Sequence, residues 1–224
     1  MLVKYGMSRN LYRLLTVLLY INSTGSLVAA ESRPEILHAS LTIVSDYLWR
    51  GQSLSRGEPA MAVEVEYVNH ENYYFGGSIA NPAAPANTPG YASGEVTGYV
   101  GYSKIQDGVG FDLGLIQYVY PSASGVNFLE VYAGFDYKRY TFKAYSSSDA
   151  GLYLTGRVKF DLPRAFKLQV HMGIYDTAGG GEGYADYGAS VFKDDLFFVF
   201  SRTDRDTGDT GNRFAVGWSK SYKW

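Results

Sequence analysis

Few side chains in this sequence are grouped in a way that would support catalysis. The chain of 224 residues has no cysteine, only three histidines and no Gly-x-Ser-x-Gly motif. His38 and Ser40 share one face of a predicted strand, but the sequence places no acidic or amide partner beside them. We therefore expect a protein that is not an enzyme and that has no cofactor.

One acidic run could bind a metal ion. The stretch "DRDTGDTG" carries Asp204, Asp206 and Asp209 among glycines, and oxygen ligands at such a spacing suit a hard cation such as Ca²⁺. The run lacks the closing Glu of a twelve-residue calcium loop. A hydrated acidic loop is the favoured interpretation, with a metal site as the weaker one.

The charged residues on the polar faces of alternating stretches are segregated along the chain. The acidic ones come first, and the basic ones, together with one histidine, follow. If these faces line a closed lumen, an acidic wall opposes a basic wall, and the resulting transverse field would orient dipolar solutes. The predicted pore-lining residues are Glu64, Glu66, Glu95, Asp112, Glu130, Asp136, Lys143, Arg157, Lys159, Lys167 and His171.

These residues are positioned by segments with a period of two. In 166–175, Phe166, Leu168 and Val170 alternate with Lys167 and Gln169, and similar alternation recurs after residue 30 without a convincing helical period. The predicted strands are 37–49, 59–69, 73–81, 91–103, 109–120, 126–137, 140–148, 150–162, 166–175, 184–193, 195–203 and 213–224.

Short and mostly longer connections alternate along the chain. An up-and-down barrel would gather the tight turns at one rim and the longer loops, such as 50–58, 81–90 and 204–212, at the other. We predict an all-β, antiparallel transmembrane barrel of about twelve strands with short periplasmic turns, and a soluble sandwich is the alternative. The last segment ends in Trp224 and is amphipathic, although Lys220 interrupts its apolar face and would have to reach toward headgroups.

The N-terminus has the pattern of a secretory signal. Lys4, Arg9 and Arg13 precede the apolar run 14–21, and Val28-Ala29-Ala30 offers small residues for cleavage. We predict a signal peptide at 1–30 and a barrel domain at 31–224. Removing the signal leaves an acidic chain, so no nucleic-acid partner is expected.

The stretch "SDYLWRGQSLS", residues 45–55, is predicted to end the first strand at the outer rim. Tyr47 and Trp49 would face outward, and Asp46 and Arg50 would face inward at the pore mouth. Gly51 would then let the chain leave the sheet. A pore-mouth cation and a structural ion pair with Asp46 or a neighbouring acid are the two roles considered for Arg50.

Residues 45–81 resemble a proteobacterial family of exported proteins, the TorF-type porins. The matching positions are Tyr47, Trp49, Arg50, Gly51, Ser53, Pro59, Ala60, Phe75, Gly76 and Asn81. The resemblance is good over about forty residues and looser beyond them. It implies an outer-membrane β-barrel of a Gram-negative bacterium without naming a substrate.

Two functions remain open at this point. The first is a narrow outer-membrane channel that transports small polar solutes. The second is a plugged barrel whose loops bind a surface ligand, a cation or lipopolysaccharide. The expected partners are outer-membrane lipid and lipopolysaccharide, the barrel-assembly machinery during biogenesis, and small polar solutes; nothing specifies an oligomeric state.

Overall fold

The computed structural model describes residues 35–81, 94–204 and 211–224. The predicted signal peptide at 1–30 lies outside this part of the chain, as do most of the predicted loops 81–90 and 204–212. The strands are β1 (Ile36–Val44), β2 (Leu48–Trp49), β3 (Gln52–Ser53), β4 (Ala60–Val68), β5 (Tyr73–Ala80), β6 (Glu95–Gln106), β7 (Val109–Val119), β8 (Phe128–Tyr137), β9 (Tyr140–Ser147), β10 (Gly151–Asp161), β11 (Lys167–Thr177), β12 (Tyr184–Lys193), β13 (Leu196–Thr203) and β14 (Gly211–Lys223).

Twelve of these strands form a closed antiparallel barrel. Each pairs with its neighbour in the chain, and β1 closes the ring by pairing with β14 on one side and β4 on the other. The predicted all-β, twelve-stranded barrel is confirmed. The strands β2 and β3 are the exception, because they pair only with each other.

Helical structure in the described residues is limited to three short 3₁₀ turns at Ser124–Val126, Pro163–Ala165 and Ala178–Gly180. Among these residues no helix is long and apolar enough to cross a membrane.

The period-two pattern separates the two faces of the barrel wall. Outward side chains are apolar and exposed, as Val65 on β4, Leu113 on β7 and Ile174 on β11 illustrate. Most inward side chains are tyrosine, polar, charged or glycine, and a minority, such as Ile116 on β7 and Phe192 on β12, are apolar. Alternation divides each strand into an apolar and a polar set, and the exposure of the apolar set shows that the polar set lines the interior.

The two rims differ as the connection lengths predicted. The turns β4–β5, β6–β7, β8–β9, β10–β11 and β12–β13 share a rim with the chain end, where Leu37 and Trp224 exchange two backbone hydrogen bonds of 3.2 and 3.0 Å. One of the three two-residue turns at this rim uses Asp107 and Gly108 at φ 52° and 78°, the conformation that favours Asp-Gly in a two-residue hairpin. Lys220, which interrupts the last apolar face, pairs at 2.7 Å with Asp195 in the β12–β13 turn at this rim.

Tyrosine rings fill the interior because glycines on adjacent strands make room for them. A Cβ at Gly101 would overlap the ring of Tyr74, and one at Gly173 would overlap Tyr153. The abundance of both residue types in the sequence therefore follows from one packing arrangement inside the barrel.

Candidate functional site in the barrel lumen

The structure places all eleven predicted pore-lining residues on inward positions of the wall. They alternate with exposed apolar residues along β4 and β6 to β11. Their role in solute passage stays a prediction. The residues are Glu64, Glu66, Glu95, Asp112, Glu130, Asp136, Lys143, Arg157, Lys159, Lys167 and His171.

Two acidic and two basic residues face one another across the lumen. Glu64 and Glu66 lie on β4, and Arg157 and Lys159 lie on β10, which is six strands away in the ring of twelve. The Tyr99 hydroxyl donates to both carboxylates, at 2.8 and 3.2 Å. Their ring positions put these two pairs on opposite sides of the barrel, and their action on a solute stays a prediction.

Other lumen charges pair along the wall instead of across it. Lys143 and Asp112 form a buried ion pair at 2.6 Å, and Asp136 accepts a hydrogen bond from Thr141. His171 lies 3.0 Å from Asp186, an inward residue of β12 that the sequence interpretation missed. Neighbouring charges in a wall offset each other, so the transverse field, which stays a prediction, would rest on fewer residues than the sequence suggested.

Residues 45–57 fold into the lumen, and we call this segment the lumen hairpin. The barrel strand β1 ends at Val44, and the chain then turns inward through β2 and β3. Arg50 and Gly51 form the tip at φ 48° and 79°, a two-residue turn with both residues in the left-handed region. A Cβ at Gly51 would lie 2.5 Å from Thr203 on β13 and 2.7 Å from Asp186 on β12, so the tip packs directly on this part of the wall.

Several expectations for this stretch are therefore wrong. Tyr47 does not face outward but is fully buried in the lumen, and Arg50, predicted at the pore mouth, is 1% exposed. Asp46 is also buried within the hairpin. The first barrel strand ends at Val44, earlier than the predicted strand 37–49. The predicted outer loop 50–58 is also wrong, because most of these residues belong to the lumen hairpin. The alternation of polar and aromatic residues here belongs to a hairpin, not to the wall.

Asp46 organises the lumen hairpin from within. Its Oδ1 atom accepts hydrogen bonds from the hydroxyls of Ser53 at 2.5 Å and Ser55 at 3.0 Å, and from the Gly57 amide at 3.2 Å. Arg213 approaches the second carboxylate oxygen at 3.7 Å. A buried carboxylate with several donors holds a compact loop, because an unpaired one would be costly.

Arg50 joins the hairpin tip to the wall. Its Nη2 donates to both carboxylate oxygens of Glu130 on β8, at 2.6 and 2.8 Å. Burial on its own would lower the pKa of Arg50, but the charge of Glu130 raises that pKa above its usual value, so the guanidinium stays protonated.

Four aromatic rings surround the same guanidinium. Its central carbon lies 4.3 Å from the ring centroid of Trp49, 4.4 Å from Tyr153, 4.9 Å from Tyr175 and 5.3 Å from Tyr145. These distances are within the range of cation–π attraction, which is strongest away from water.

The three tyrosines belong to a ladder that crosses five strands. Tyr132, Tyr145, Tyr153, Tyr175 and Tyr184 are direct register partners from β8 to β12. The ladder forms a continuous aromatic surface on one side of the lumen. The period of two predicts on which face of its strand each tyrosine lies. Only the register between neighbouring strands brings the five tyrosines side by side.

Further hydrogen bonds tie the hairpin to two other parts of the lumen. The hydroxyls of Tyr47 and Tyr120 each donate to Glu95 at 2.8 Å, and Gln52 donates to the Tyr184 hydroxyl at 2.5 Å. Burial, followed by the charge of Glu95, raises the pKa of Tyr47 well above its usual value, so this hydroxyl remains a donor. The hairpin thus braces the lumen through side chains without extending the barrel sheet.

The structure adds little to the predicted metal site. Asp204 accepts a hydrogen bond from the Ala185 amide at 2.6 Å, while Asp206 and Asp209 lie outside the described residues. Within the described ranges no three His, Cys, Asp or Glu residues are grouped to hold a metal ion.

The chain belongs to the family described as "Bacterial protein of unknown function (Gcw_chp)", which matches residues 28–214. That description does not contain the TorF-type designation, so this part of the resemblance stays a prediction. No curated protein matches the chain.

Solved structures with a similar fold include porins. "KdgM porin" aligns with a TM-score of 0.55 at 8% identity, covering 84% of this chain and 99% of its own, and the same values hold for "KdgM porin in complex with disordered oligogalacturonate". "LpxR from Salmonella typhimurium" aligns with a TM-score of 0.46 at 8% identity over 83% of this chain and 99% of its own. The KdgM likeness agrees with the closed twelve-stranded barrel.

Proposed function

We propose that the chain is an outer-membrane β-barrel that acts as a narrow, gated channel for small polar solutes, in line with the resemblance to TorF-type porins. The observation that carries the proposal is a closed barrel whose outer face is apolar and exposed while its inner face is polar and charged. Closure leaves no unpaired sheet edge, which is the condition for strands to cross a lipid bilayer.

The inner face supports passage of polar rather than apolar solutes. Glu64 and Glu66 face Arg157 and Lys159 across the ring, so a solute between them experiences opposite charges on its two sides. A dipolar solute aligned with this field is favoured over an apolar one of the same size. Twelve strands enclose a lumen narrower than that of the open porins with sixteen or more, which restricts the solute to small molecules.

The lumen hairpin is the proposed gate. It occupies the half of the lumen nearest the longer loops, and its strands pair only with each other. It can therefore move without breaking any ladder hydrogen bond of the barrel. At its base the Ser45 amide donates to the Val216 carbonyl of β14 at 2.9 Å; beyond that residue its hold on the wall consists of side-chain contacts, chiefly those of Arg50, Tyr47 and Gln52.

Conductance of the purified protein in planar bilayers tests the proposal. The wild-type barrel should open in brief events, and a variant lacking residues 47–54 should conduct continuously. Arg157→Glu should shift the selectivity of that open variant toward cations, because it reverses one charge of the basic wall. Arg202→Glu is the matched control, since Arg202 is exposed on the outward face and its reversal should leave selectivity unchanged.

The absence of current from the shortened variant would refute the channel. Equal selectivity shifts from Arg157→Glu and Arg202→Glu would refute the role of the lumen charges.

A permanently plugged, surface-binding barrel is the second candidate. The buried Arg50–Glu130 pair favours it, because such a pair with its hydrogen bonds resists separation. The wild type should then give no openings at any voltage, and removal of residues 205–210 should weaken binding to lipopolysaccharide-containing vesicles while removal of 47–54 does not. Vesicle co-sedimentation measures this binding.

A further inference from the structure

The contacts of the Arg50 guanidinium are those of a bound cationic ligand. Three of its four aromatic neighbours, Tyr145, Tyr153 and Tyr175, and its counter-ion Glu130 belong to the barrel wall. We call these four wall residues the cation site. Because the wall strands hold them in register, the site persists when the lumen hairpin moves away.

Arg50 uses this site incompletely. A guanidinium and a carboxylate pair best through two parallel N–H···O bonds from two nitrogens, but here Nη2 alone contacts both oxygens of Glu130. The buried Nη1 atom and the buried Tyr145 hydroxyl have no hydrogen-bond partner in the described part of the chain. Arg50 also adopts φ 48°, a left-handed conformation that costs free energy for a residue other than glycine.

A free ligand is not subject to these restraints. A small guanidinium compound can rotate to form the two-nitrogen pair with Glu130, and a primary amine can direct its extra donors at the Tyr145 hydroxyl. Aromatic faces around a carboxylate attract both kinds of cation and do not attract a neutral molecule of the same shape.

We propose that the cation site binds solutes carrying a guanidinium or primary amine group, and that such a solute displaces Arg50 and releases the lumen hairpin. The displacement of Arg50 as a gating step deepens the proposed gated channel and rests on that proposal. Binding of a cation to the four wall residues does not depend on it. Arg50 acts as a tethered occupant of a ligand site.

Cysteine accessibility tests the displacement in the otherwise intact protein. The chain has no cysteine, so Leu48→Cys places a unique thiol in the buried part of the lumen hairpin. Millimolar methylguanidinium should raise its labelling rate by a maleimide several-fold, and urea at the same concentration should not, because urea is planar but uncharged. The control is Glu58→Cys, because position 58 is exposed. Its thiol should react at the same rate with methylguanidinium, with urea and with neither. Equal rates in methylguanidinium and urea would overturn the displacement.

Chemical rescue tests the site itself. Arg50→Gly removes the tethered cation while suiting the left-handed turn, and it leaves Glu130 unpaired. Methylguanidinium should raise the unfolding temperature of this variant in a saturable manner, whereas the double variant Arg50→Gly, Glu130→Gln should show no such rise. Equal responses of the two variants would overturn the cation site, and if Arg50→Gly does not fold, the labelling experiment decides alone.

These readouts separate the inference from the channel proposal. Faster labelling with methylguanidinium in a protein that never conducts would refute the channel and retain the site. Conductance that is indifferent to methylguanidinium, with unchanged labelling, would refute the displacement of Arg50 and retain the channel.

Discussion

Glu130→Gln should release the lumen hairpin while the barrel stays folded. The substitution leaves the Arg50 guanidinium, which is 1% exposed, without its counter-ion. Removing one member of a buried ion pair costs about 3–5 kcal/mol, and each 1.4 kcal/mol is tenfold, so the closed-to-open ratio should fall by at least about a hundredfold. The hairpin avoids this cost by moving Arg50 into water, because its strands are not part of the barrel ladder.

Labelling of Leu48→Cys in the Glu130→Gln background measures this release. The matched control is Asp112→Asn, which breaks the Lys143 ion pair, also 2.6 Å long and buried, in the wall away from the hairpin. That control should lower barrel stability to a similar extent without exposing the thiol introduced at position 48. Equal labelling rates in Glu130→Gln and the parent protein, or in Glu130→Gln and Asp112→Asn, would refute the reasoning that this pair holds the gate.

Two further substitutions test the packing of the wall. Gly173→Ala should destabilise the barrel by about 1–3 kcal/mol, because the new methyl group overlaps Tyr153. Gly98→Ala should be nearly neutral, since no atom lies within 4 Å of its added carbon. The temperature at which each variant loses its folded mobility on a gel compares the two, and equal losses of stability would contradict the tyrosine–glycine packing. Lys220→Met should change the unfolding temperature little, because Lys220 and Asp195 are each 41% exposed and their ion pair contributes at most about 1 kcal/mol. A large fall in the unfolding temperature in the same assay would contradict a surface role for this pair.

The barrel itself could be predicted from the sequence because strand alternation is a local property. Each strand shows its outward and inward sets within about ten residues, and the strand 184–193 has the same bounds in the prediction and in the structure. The inward placement of the charged residues has the same local origin. Lys143 shows the limit of this reasoning, since its pairing with Asp112 depends on which strands are neighbours.

The lumen hairpin could not be predicted in this way. Local alternation in residues 45–55 fits both a wall strand and a hairpin, so the pattern gave the wrong orientation for Tyr47 and the wrong place for Arg50. The one local signal was Arg50-Gly51, a pair that suits a tight two-residue turn through its glycine but not through its arginine. An arginine in such a position indicates that a distant partner compensates for the backbone cost.

The sequence by itself determined the class of fold, the two faces of each wall strand and most of the charges on the inner face of the wall, because these depend on side-chain period and connection length. Only the tertiary structure decided whether the lumen is empty or occupied. Arg50 and Glu130 are 80 residues apart in the chain, and the tyrosine ladder around them exists only once five strands are in register. Pairing across a closed ring is a property of the whole barrel, since each contact requires the strands between its partners to be in place.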